Sequence, residues 1–521
     1  MMATQTLIPT APIAIESRAL VPGSAASAAM VIALAAWYLY AAISWRQGAL
    51  FLVGAGAGVV LYHAAFGFTS SWRVFISDRR GAGLRAQMLM LAITCAVFFP
   101  LLASGSLFGQ PLRGSVSPVG IGVAAGWSTA LAQIQTLPYN LTAEYGFAVM
   151  PMFILMGSFA AMSGLAEEIY DIAYKWLGRL RGGLYLTTIA GMAVFGGISG
   201  STIVDATVFT RTALPQMLRY GYPKRYAGAC IVATGSFAAM IPPSITMVIY
   251  GIITEVSIGQ MLIAGIVPGI FSALVYAAAV VAVMRWRPDL GPPARFQVSW
   301  SERFSALRGV WVMIVLFAVV MGGLYSGIFP PSGAGAAGAF GTFLVAVARR
   351  RLGWAGFRDA AKDAATVTCI IFTIIIGGLI FSRLLVMLGF IDAFGPLILG
   401  ITRSPLGIIL LFSLMYLVLG CIIDTTSMMI VTLPFVYPVI KQAGIDGIWF
   451  GILLVKLVEI AVMTPPVALN LFAVAAAGRQ HITLEDLMRG IWPFILIELL
   501  ILAVLIAFPV LSTWLPSKML G

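Results

Sequence analysis

The stretch Gly196-Gly197-Ile198-Ser199-Gly200-Ser201-Thr202, followed by Asp205, interrupts a hydrophobic segment, and Ile241-Pro242-Pro243-Ser244 interrupts the next one. The same order of features returns later in the chain as Gly420, then Asp424-Thr425-Thr426, then Thr464-Pro465-Pro466-Val467. In both places a Gly-hydrophobic-hydrophobic-Pro turn follows, at 265–268 and at 490–493. Paired interruptions of hydrophobic segments are the best sequence indication of a secondary transporter, with its site where two repeats meet.

The composition is that of a membrane protein. Of 521 residues, 60% are hydrophobic and 10% are charged, and the mean hydropathy is +1.00; soluble domains carry about 25% charged residues. Apolar runs of about 20 residues, the length that crosses a bilayer, recur along the whole sequence. We therefore predict an all-α polytopic membrane protein. The net charge of +12 comes from Lys and Arg in short loops, which retain loops in the cytoplasm, and does not indicate nucleic-acid binding.

Composition and patterning divide the chain into six predicted regions. The region 285–308, which is rich in Pro and Arg, is the one linker, and its positive charge predicts a cytoplasmic position. The full division is a disordered tail 1–24, a membrane extension 25–115, a first repeat 116–284, the linker 285–308, connecting helices 309–363 and a second repeat 364–515. Within the first repeat, 163–182 has helical spacing of its apolar residues, which predicts either an amphipathic surface helix or a short solvated connector.

The Gly-rich interruption has the chemistry of an oxygen-ligand site. Each Gly costs about 1 kcal/mol against Ala in a helix, and irregular backbone at membrane depth survives only where protein or a water-filled cavity covers it. Unwound carbonyls with Ser and Thr hydroxyls suit a small cation such as Na⁺ or a carboxylate substrate. The alternative is a face of small residues that packs closely against another helix.

Ionisable residues inside the apolar segments are the other candidates for function. Asp205 and Asp424 are either binding residues or caps of the helices that follow them. Lys456 and Glu459 lie three residues apart on one helical face, which predicts an internal ion pair, with proton coupling through Glu459 as the alternative. Arg383 is a candidate partner for an anionic substrate. Since no nucleophile–His–acid set, phosphate-binding loop or metal-ligand spacing is present, we do not expect an enzyme.

At these motifs the chain resembles the large membrane subunit of the TRAP transporters, the tripartite ATP-independent periplasmic systems. The resemblance covers about Val119 to the C-terminus. Its most specific parts are Gly197–Ser201 with Asp205, Ile241–Ser244 followed by Ile249–Gly251, Leu262–Gly269, Asp424–Thr426, and Glu459 through Thr464-Pro465-Pro466 to Asn470–Phe472.

The resemblance implies an elevator-type, Na⁺-coupled importer built from an inverted repeat with re-entrant hairpins. It also implies a bacterial inner-membrane location, a small four-helix membrane subunit, and a periplasmic binding protein that delivers an organic acid such as a dicarboxylate. No cofactor beyond Na⁺ as the coupling ion is expected. The implied substrate- and ion-binding residues are Ser199, Gly200, Ser201, Thr202, Asp205, Pro242, Pro243, Ser244, Asp424, Thr425, Thr426, Thr464, Pro465, Pro466 and Asn470. Of these, the hydroxyls of Ser199, Ser201, Thr202, Thr425, Thr426 and Thr464 are the expected Na⁺ ligands.

The first 115 residues do not resemble the start of that family. The stretch from His63-Ala64-Ala65-Phe66-Gly67 to Gly109-Gln110-Pro111-Leu112 instead resembles the front of YeeE/YedE-type proteins, which are linked to uptake of thiosulfate and other sulfur compounds. The cysteine motifs of that family are absent, so we interpret 25–115 as a remnant without transport chemistry. Two alternatives to an organic-acid importer stay open: a sulfur-compound transporter, and a non-transporting membrane assembly subunit.

Overall fold

A computed structural model describes residues 145–293, 298–387, 390–421, 423–465 and 468–519, together with the strand residues 106–107 and 110–111. These residues belong to one compact unit, 99–521. The predictions for the tail 1–24 and for most of the extension 25–115 lie outside the described residues. The two short strands, Ser106–Leu107 and Gln110–Pro111, pair antiparallel with Ser106 opposite Pro111.

The rest of the described chain is helical, as predicted. The part up to Trp286 is called the first half below, and the part from Trp354 the second half. The first half contains α1 Val149–Met162, α2 Leu165–Leu177, α3 Gly183–Ser199, α4 Thr202–Thr212, α5 Leu214–Arg219, α6 Lys224–Gly235, α7 Phe237–Met240, α8 Ile245–Thr254, α9 Ile258–Ala264 and α10 Ile266–Trp286. The connection contains α11 Trp300–Ala306, α12 Val310–Phe317, α13 Gly323–Tyr325 and α14 Pro331–Ala348. The second half contains α15 Trp354–Met387, α16 Phe390–Ile401, α17 Pro405–Gly420, α18 Thr425–Gln442, α19 Gly447–Met463, α20 Leu469–Ala477, α21 Leu484–Gly490, α22 Trp492–Ala507 and α23 Val510–Thr513.

Several of these helices have the length and hydropathy of membrane spans. Within the described residues they are 258–286, 300–325, 331–348 and 354–379, and up to four further spans result if bent helix pairs are each counted as one. The span 300–325 contains a π-helical turn, Ala318–Gly322, between α12 and α13. The predicted boundary at 363–364 between connecting helices and second repeat falls inside the continuous helix α15.

The stretch 163–182 forms the helix α2 for most of its length. Its apolar side, including Leu165, Ile169 and Tyr170, is buried, and α2 packs against α3. Glu167 and Glu168 lie in its first turn and Lys175 in its last turn, where they complement the helix dipole. The predicted amphipathic helix is therefore present, and its position at a membrane surface stays a prediction.

The breaks follow each other in the same order in the two halves, although two additional helices, α5 and α6, lie between the breaks of the first half. In the first half, α3 and α4 flank the Gly-rich break, α7 and α8 flank the Pro-Pro break, and α9 and α10 follow. In the second half, α17 and α18 flank the Asp424 break, α19 and α20 flank the Thr-Pro-Pro break, and α21 and α22 follow.

The two halves also pack against each other reciprocally. Helix α4, which follows the Gly-rich break, packs against α20 of the second half. Helix α18, which follows the Asp424 break, packs against α8 of the first half. In both cases the helix that follows an Asp-bearing break contacts the helix that follows the Pro-Pro break of the other half. The four breaks are therefore connected through helix packing.

Candidate functional site

The Gly-rich break is made by the backbone of Gly200 and the side chain of Ser201. Gly200 ends α3 in the left-handed region, with φ +63°, where L-residues with a Cβ are disfavoured. Ser201 is extended and caps α4, since its hydroxyl accepts a hydrogen bond from the Val204 amide at 3.5 Å. The sequence thus stops one helix and starts another within two residues.

At the Pro-Pro break, too, a serine hydroxyl caps the helix that follows. Helix α7 ends at Met240, Ile241 is extended, and the Pro242–Pro243 peptide bond is cis. Ser244 is buried and caps α8, accepting a hydrogen bond from the Met247 amide at 3.3 Å. The axes of the helices on either side differ by 42°.

These two breaks of the first half lie against each other. A Cβ added to Gly200 would come within 2.6 Å of the Pro243 carbonyl oxygen, and one added to Gly197 would lie 3.6 Å from that of Pro242. A Cβ on Gly196 would lie 3.2 Å from both the Ala238 Cα and Asp205 Oδ2. At Gly200, and less severely at Gly196, a Cβ would therefore force the facing backbone to shift, whereas the distance at Gly197 is an ordinary contact. The close approach at Gly200 and Gly196 accords with the small-residue packing alternative. The same contacts place the break residues together with Asp205.

Asp205 is the most unusual group in this arrangement. Its side chain is fully buried, and its Oδ1 accepts a hydrogen bond from the Ser199 hydroxyl. Ser199 Oγ in turn accepts a bond from the Ser201 amide at 3.3 Å. Oδ2 of Asp205 has no hydrogen-bond partner among the described residues. A buried carboxylate oxygen without a donor is costly, and a bound cation would remove that cost.

The two aspartates of the repeated motif have different local roles. Asp424 is partly buried and caps α18, with Oδ2 accepting a hydrogen bond from the Ser427 amide at 3.1 Å. Asp205 lies inside the first turn of α4, where Ser201 already provides the cap. The capping interpretation therefore holds for Asp424 and not for Asp205.

The two breaks of the second half line a common cleft of about 10 Å³, which is close to the smallest volume that holds one water molecule. Gly420, Asp424 and Thr425 line one part of it, and Ala461 and Ala468 another. The hydroxyl oxygen of Thr425 is buried and has no hydrogen-bond partner in the described part of the chain. It is therefore available as a ligand without the loss of an existing bond.

Asn470, on α20, also has buried polar atoms without a partner among the described residues. Its side chain is fully buried, and neither its amide oxygen nor its amide nitrogen has a partner among the described residues. Since α20 packs against α4, the helices that carry Asn470 and Asp205 are neighbours. An unsatisfied buried amide is rare in native proteins and points to a ligand at this position.

The other predicted residues are placed as follows. Thr464 is extended at the end of α19 and donates its hydroxyl to the Ile460 carbonyl at 2.6 Å. Thr202 and Thr426 are partly buried residues in the first turns of α4 and α18. Pro466 lies outside the described residues, as do the side-chain surroundings of Arg383. No three His, Cys, Asp or Glu side chains within the described ranges come together as a transition-metal site would require.

Lys456 and Glu459 form the predicted ion pair. Both are fully buried, and Lys456 also contacts Glu498 at 2.9 Å, a residue that the sequence analysis missed. The only signal for Glu498 is its position in the otherwise apolar run 492–507. This cluster is built from α10, α19 and α22 and shares none of the break residues.

Comparison with known proteins agrees with this architecture. The family described as "Tripartite ATP-independent periplasmic transporter, DctM component" matches residues 84–511. Among similar curated proteins, the ectoine TRAP transporter large permease protein TeaC of Halomonas elongata is 31% identical over 82% of this chain and 99% of its own length. The C4-dicarboxylate TRAP transporter large permease protein DctM of Vibrio cholerae is 28% identical over 82% of this chain and 98% of its own length.

Solved structures show the same fold at low sequence identity. The YdaH transporter of Alcanivorax borkumensis is 13% identical, with a TM-score of 0.55 over 82% of this chain and 99% of that one. MtrF of Neisseria gonorrhoeae is 14% identical, with a TM-score of 0.54 over 81% of this chain and 94% of that one.

The family match begins at residue 84, upstream of Val119, where the resemblance was placed, and so includes part of the segment 25–115. The resemblance of that segment to YeeE/YedE-type proteins stays a prediction. The relatives are named as transporter permeases, which agrees with the prediction that the chain is not an enzyme. With a family match over most of its length, this chain belongs to the DctM-component family, the large membrane permeases of the tripartite ATP-independent periplasmic transporters.

Proposed function

We propose that this permease imports a small organic acid in symport with Na⁺, with the ion and the substrate bound around the four helix breaks. The observation that carries the proposal is the fully buried Asp205 Oδ2, which lies beside the Gly-rich and Pro-Pro breaks and has no hydrogen-bond partner among the described residues. A secondary transporter places substrate and coupling ion at such discontinuous helices, where unwound carbonyls coordinate Na⁺.

The oxygen atoms that lack partners among the described residues are of the kind that a sodium ion binds. Asp205 offers one free carboxylate oxygen, Thr425 a free hydroxyl, and Asn470 a free amide oxygen. These are hard oxygen donors with no competing bond within the described chain, and a Na⁺ ion would supply the positive charge that Asp205 lacks. The hydroxyls of Ser199, Ser201 and Thr464 make hydrogen bonds of their own but keep lone pairs that can reach a cation.

The substrate class is proposed from the relatives. Similar permeases are named for C4-dicarboxylates, for ectoine and for sialic acid. We infer an organic acid for this chain as well, and we expect the polar termini of the broken helices to bind its carboxylate. Thr426 and Ser244, at the starts of α18 and α8, are the helix-start residues that we propose for that role, since helix N-termini attract anions. The carboxylate of Asp424 already caps α18 and is better suited to a cation.

The remaining parts of the system follow from the family. A periplasmic binding protein would deliver the substrate, a small membrane subunit would accompany the permease, and the complex would lie in the bacterial inner membrane. The recurring helix order and the reciprocal packing of α4 with α20 and α18 with α8 support an inverted repeat. On that basis we propose an elevator-type movement of the break-bearing helices.

Uptake by the reconstituted system tests the proposal. The permease, its membrane partner and its binding protein are placed in liposomes. A radiolabelled C4-dicarboxylate, sialic acid, ectoine and thiosulfate are supplied in turn, with an inward gradient of either Na⁺ or K⁺. We expect accumulation of one organic acid with Na⁺, without ATP, and none with K⁺. Equal accumulation under the two gradients would rule out Na⁺ coupling, and transport of thiosulfate alone would rule out the substrate class.

A further inference from the structure

A buried cluster of charged side chains connects three helices away from the breaks. Lys456 and Glu459 lie on α19, Glu498 lies on α22, and Ser272 and Tyr276 lie on α10 of the first half. All five side chains are fully buried. The cluster therefore joins the two halves of the chain through polar contacts inside an apolar surrounding.

The lysine uses its three donors within this cluster. Its Nζ donates to Glu459 Oε2, to Glu498 Oε2 at 2.9 Å and to Ser272 Oγ at 3.2 Å. Tyr276 donates its hydroxyl to the other oxygen of Glu498 at 2.8 Å. Both oxygens of Glu498 thus have donors, which is the pattern of an ionised carboxylate.

Glu459 is different from Glu498. Its Oε2 contacts Lys456, but its Oε1 is buried and has no partner among the described residues. If both glutamates were ionised, two negative charges would face one ammonium group. A net charge of this kind is costly in a buried site, because the attraction to one cation does not offset the desolvation of two anions.

Few other titratable groups face the cluster. Cys230, on α6, is near Tyr276. Tyr250 and Tyr416, on helices that also pack against α19, are hydrogen-bonded to the Gly447 carbonyl and to Thr432 Oγ1. Within the described residues, no second Lys or Arg forms an ion pair with either glutamate. Two ionised glutamates would need a second positive charge, and no described Lys or Arg other than Lys456 supplies it.

We propose that this cluster is a proton-binding site, in which Glu459 holds one proton and leaves Lys456 paired with an ionised Glu498. The proton makes the cluster neutral and allows α10, α19 and α22 to pack together without a buried excess charge. This site is separate from the proposed Na⁺ site, and it does not depend on which substrate or coupling ion the permease uses.

Infrared spectroscopy of the purified full-length protein tests the site directly. A protonated carboxylic acid has its own carbonyl band, and the difference between wild type and Glu459→Gln should contain one such band. Glu498→Gln should lose the same band, since one remaining glutamate and Lys456 balance each other as ions. Lys456→Met should increase it, because neither glutamate then has a cation. Unchanged bands in both Gln variants, or a band in the wild type that Na⁺ abolishes, would overturn the proposal.

The pH dependence of unfolding gives a second readout, and the wild-type slope alone already tests for the bound proton. The native state would hold one proton that the unfolded chain releases near neutral pH, so stability should fall as pH rises. One proton corresponds to a tenfold rise in the unfolding equilibrium constant per pH unit. In SDS titrations we expect a slope approaching this value for the wild type and a flatter one for Glu459→Gln. Asp446→Asn, a change at the exposed cap of α19, should keep the wild-type slope. Parallel slopes for wild type and Glu459→Gln would contradict the assignment.

Discussion

Replacing Asp205 by Asn isolates the charge at the centre of the proposed Na⁺ site. The side chains have nearly the same size, and Ser199 can still donate its hydroxyl to the retained oxygen. What is lost is the charge on a fully buried carboxyl whose second oxygen has no donor among the described residues. A contact to a charged group is worth about 1.5–3 kcal/mol, so Na⁺ affinity should fall about ten- to 150-fold, with each 1.4 kcal/mol a factor of ten.

Thermal unfolding in detergent at increasing Na⁺ concentration measures this change without transport. At a Na⁺ concentration of a hundred times its Kd, the wild type should gain about 2.7 kcal/mol, whereas a variant with hundredfold weaker binding gains only about 0.4 kcal/mol. In Na⁺-free buffer Asp205→Asn should be at least as stable as the wild type, because an uncompensated buried charge has been removed. Choline replaces Na⁺ there to keep the ionic strength constant.

The matched control is Asp446→Asn, at a residue that caps α19 through the Trp449 amide at 2.8 Å and has no part in the breaks. Asn caps a helix about as well as Asp, so its Na⁺ titration should overlay that of the wild type. If Asp205→Asn also showed the wild-type titration, the carboxylate would be no Na⁺ ligand. A large loss of stability in Na⁺-free buffer would show that its charge is structural.

Three further substitutions test neighbouring parts of the site. Thr425→Ala removes a hydroxyl that makes no hydrogen bond to any described residue. It should raise the Na⁺ concentration for half-maximal uptake about tenfold or more, and a fall in Na⁺-free stability would contradict this. Gly200→Ala places a Cβ on a residue with a left-handed φ and within 2.6 Å of the Pro243 oxygen. Its control is Gly221→Ala, where φ is also left-handed but the Cβ meets no atom within 4 Å. SDS unfolding should show about 1–2 kcal/mol lost for Gly221→Ala and clearly more for Gly200→Ala, and equal losses would argue against close contact of the breaks. Ser244→Ala removes the cap of α8 and should cost about 0.5–2 kcal/mol in the same assay; no loss would mean that the cap is not formed.

The positions of the breaks could be predicted from the sequence, because they depend on local chemistry. Gly200 supplies a left-handed residue and the Pro242–Pro243 pair removes backbone donors, so the helices end where the sequence indicated. For 163–182, the spacing of the apolar residues gave the helix α2 as one of two alternatives. Such signals extend over a few residues and need no knowledge of the remainder of the fold.

The roles of individual polar residues could not be predicted in this way. Asp205 and Asp424 occupy equivalent places in the two motifs, yet only Asp424 caps its helix, because Ser201 is the extended residue before α4. Glu498 completes the cluster of Lys456 from another helix, and nothing in the spacing of an apolar run shows which distant carboxylate it will meet. Both outcomes depend on backbone angles and tertiary contacts that the pattern of residue types does not determine.

The reciprocal packing of the halves has a consequence for how the protein is made. Helix α4, with Asp205, packs against α20, which leaves the ribosome about 260 residues later, a delay of roughly 13–50 s at bacterial synthesis rates of 5–20 residues per second. Until then the face of α4 that packs against α20 has no permanent cover, although first-half helices such as α3 and α6 already contact α4. The nascent first half therefore has to be held by the insertion machinery, or beside water, and biogenesis should slow or fail when translation stalls before residue 469.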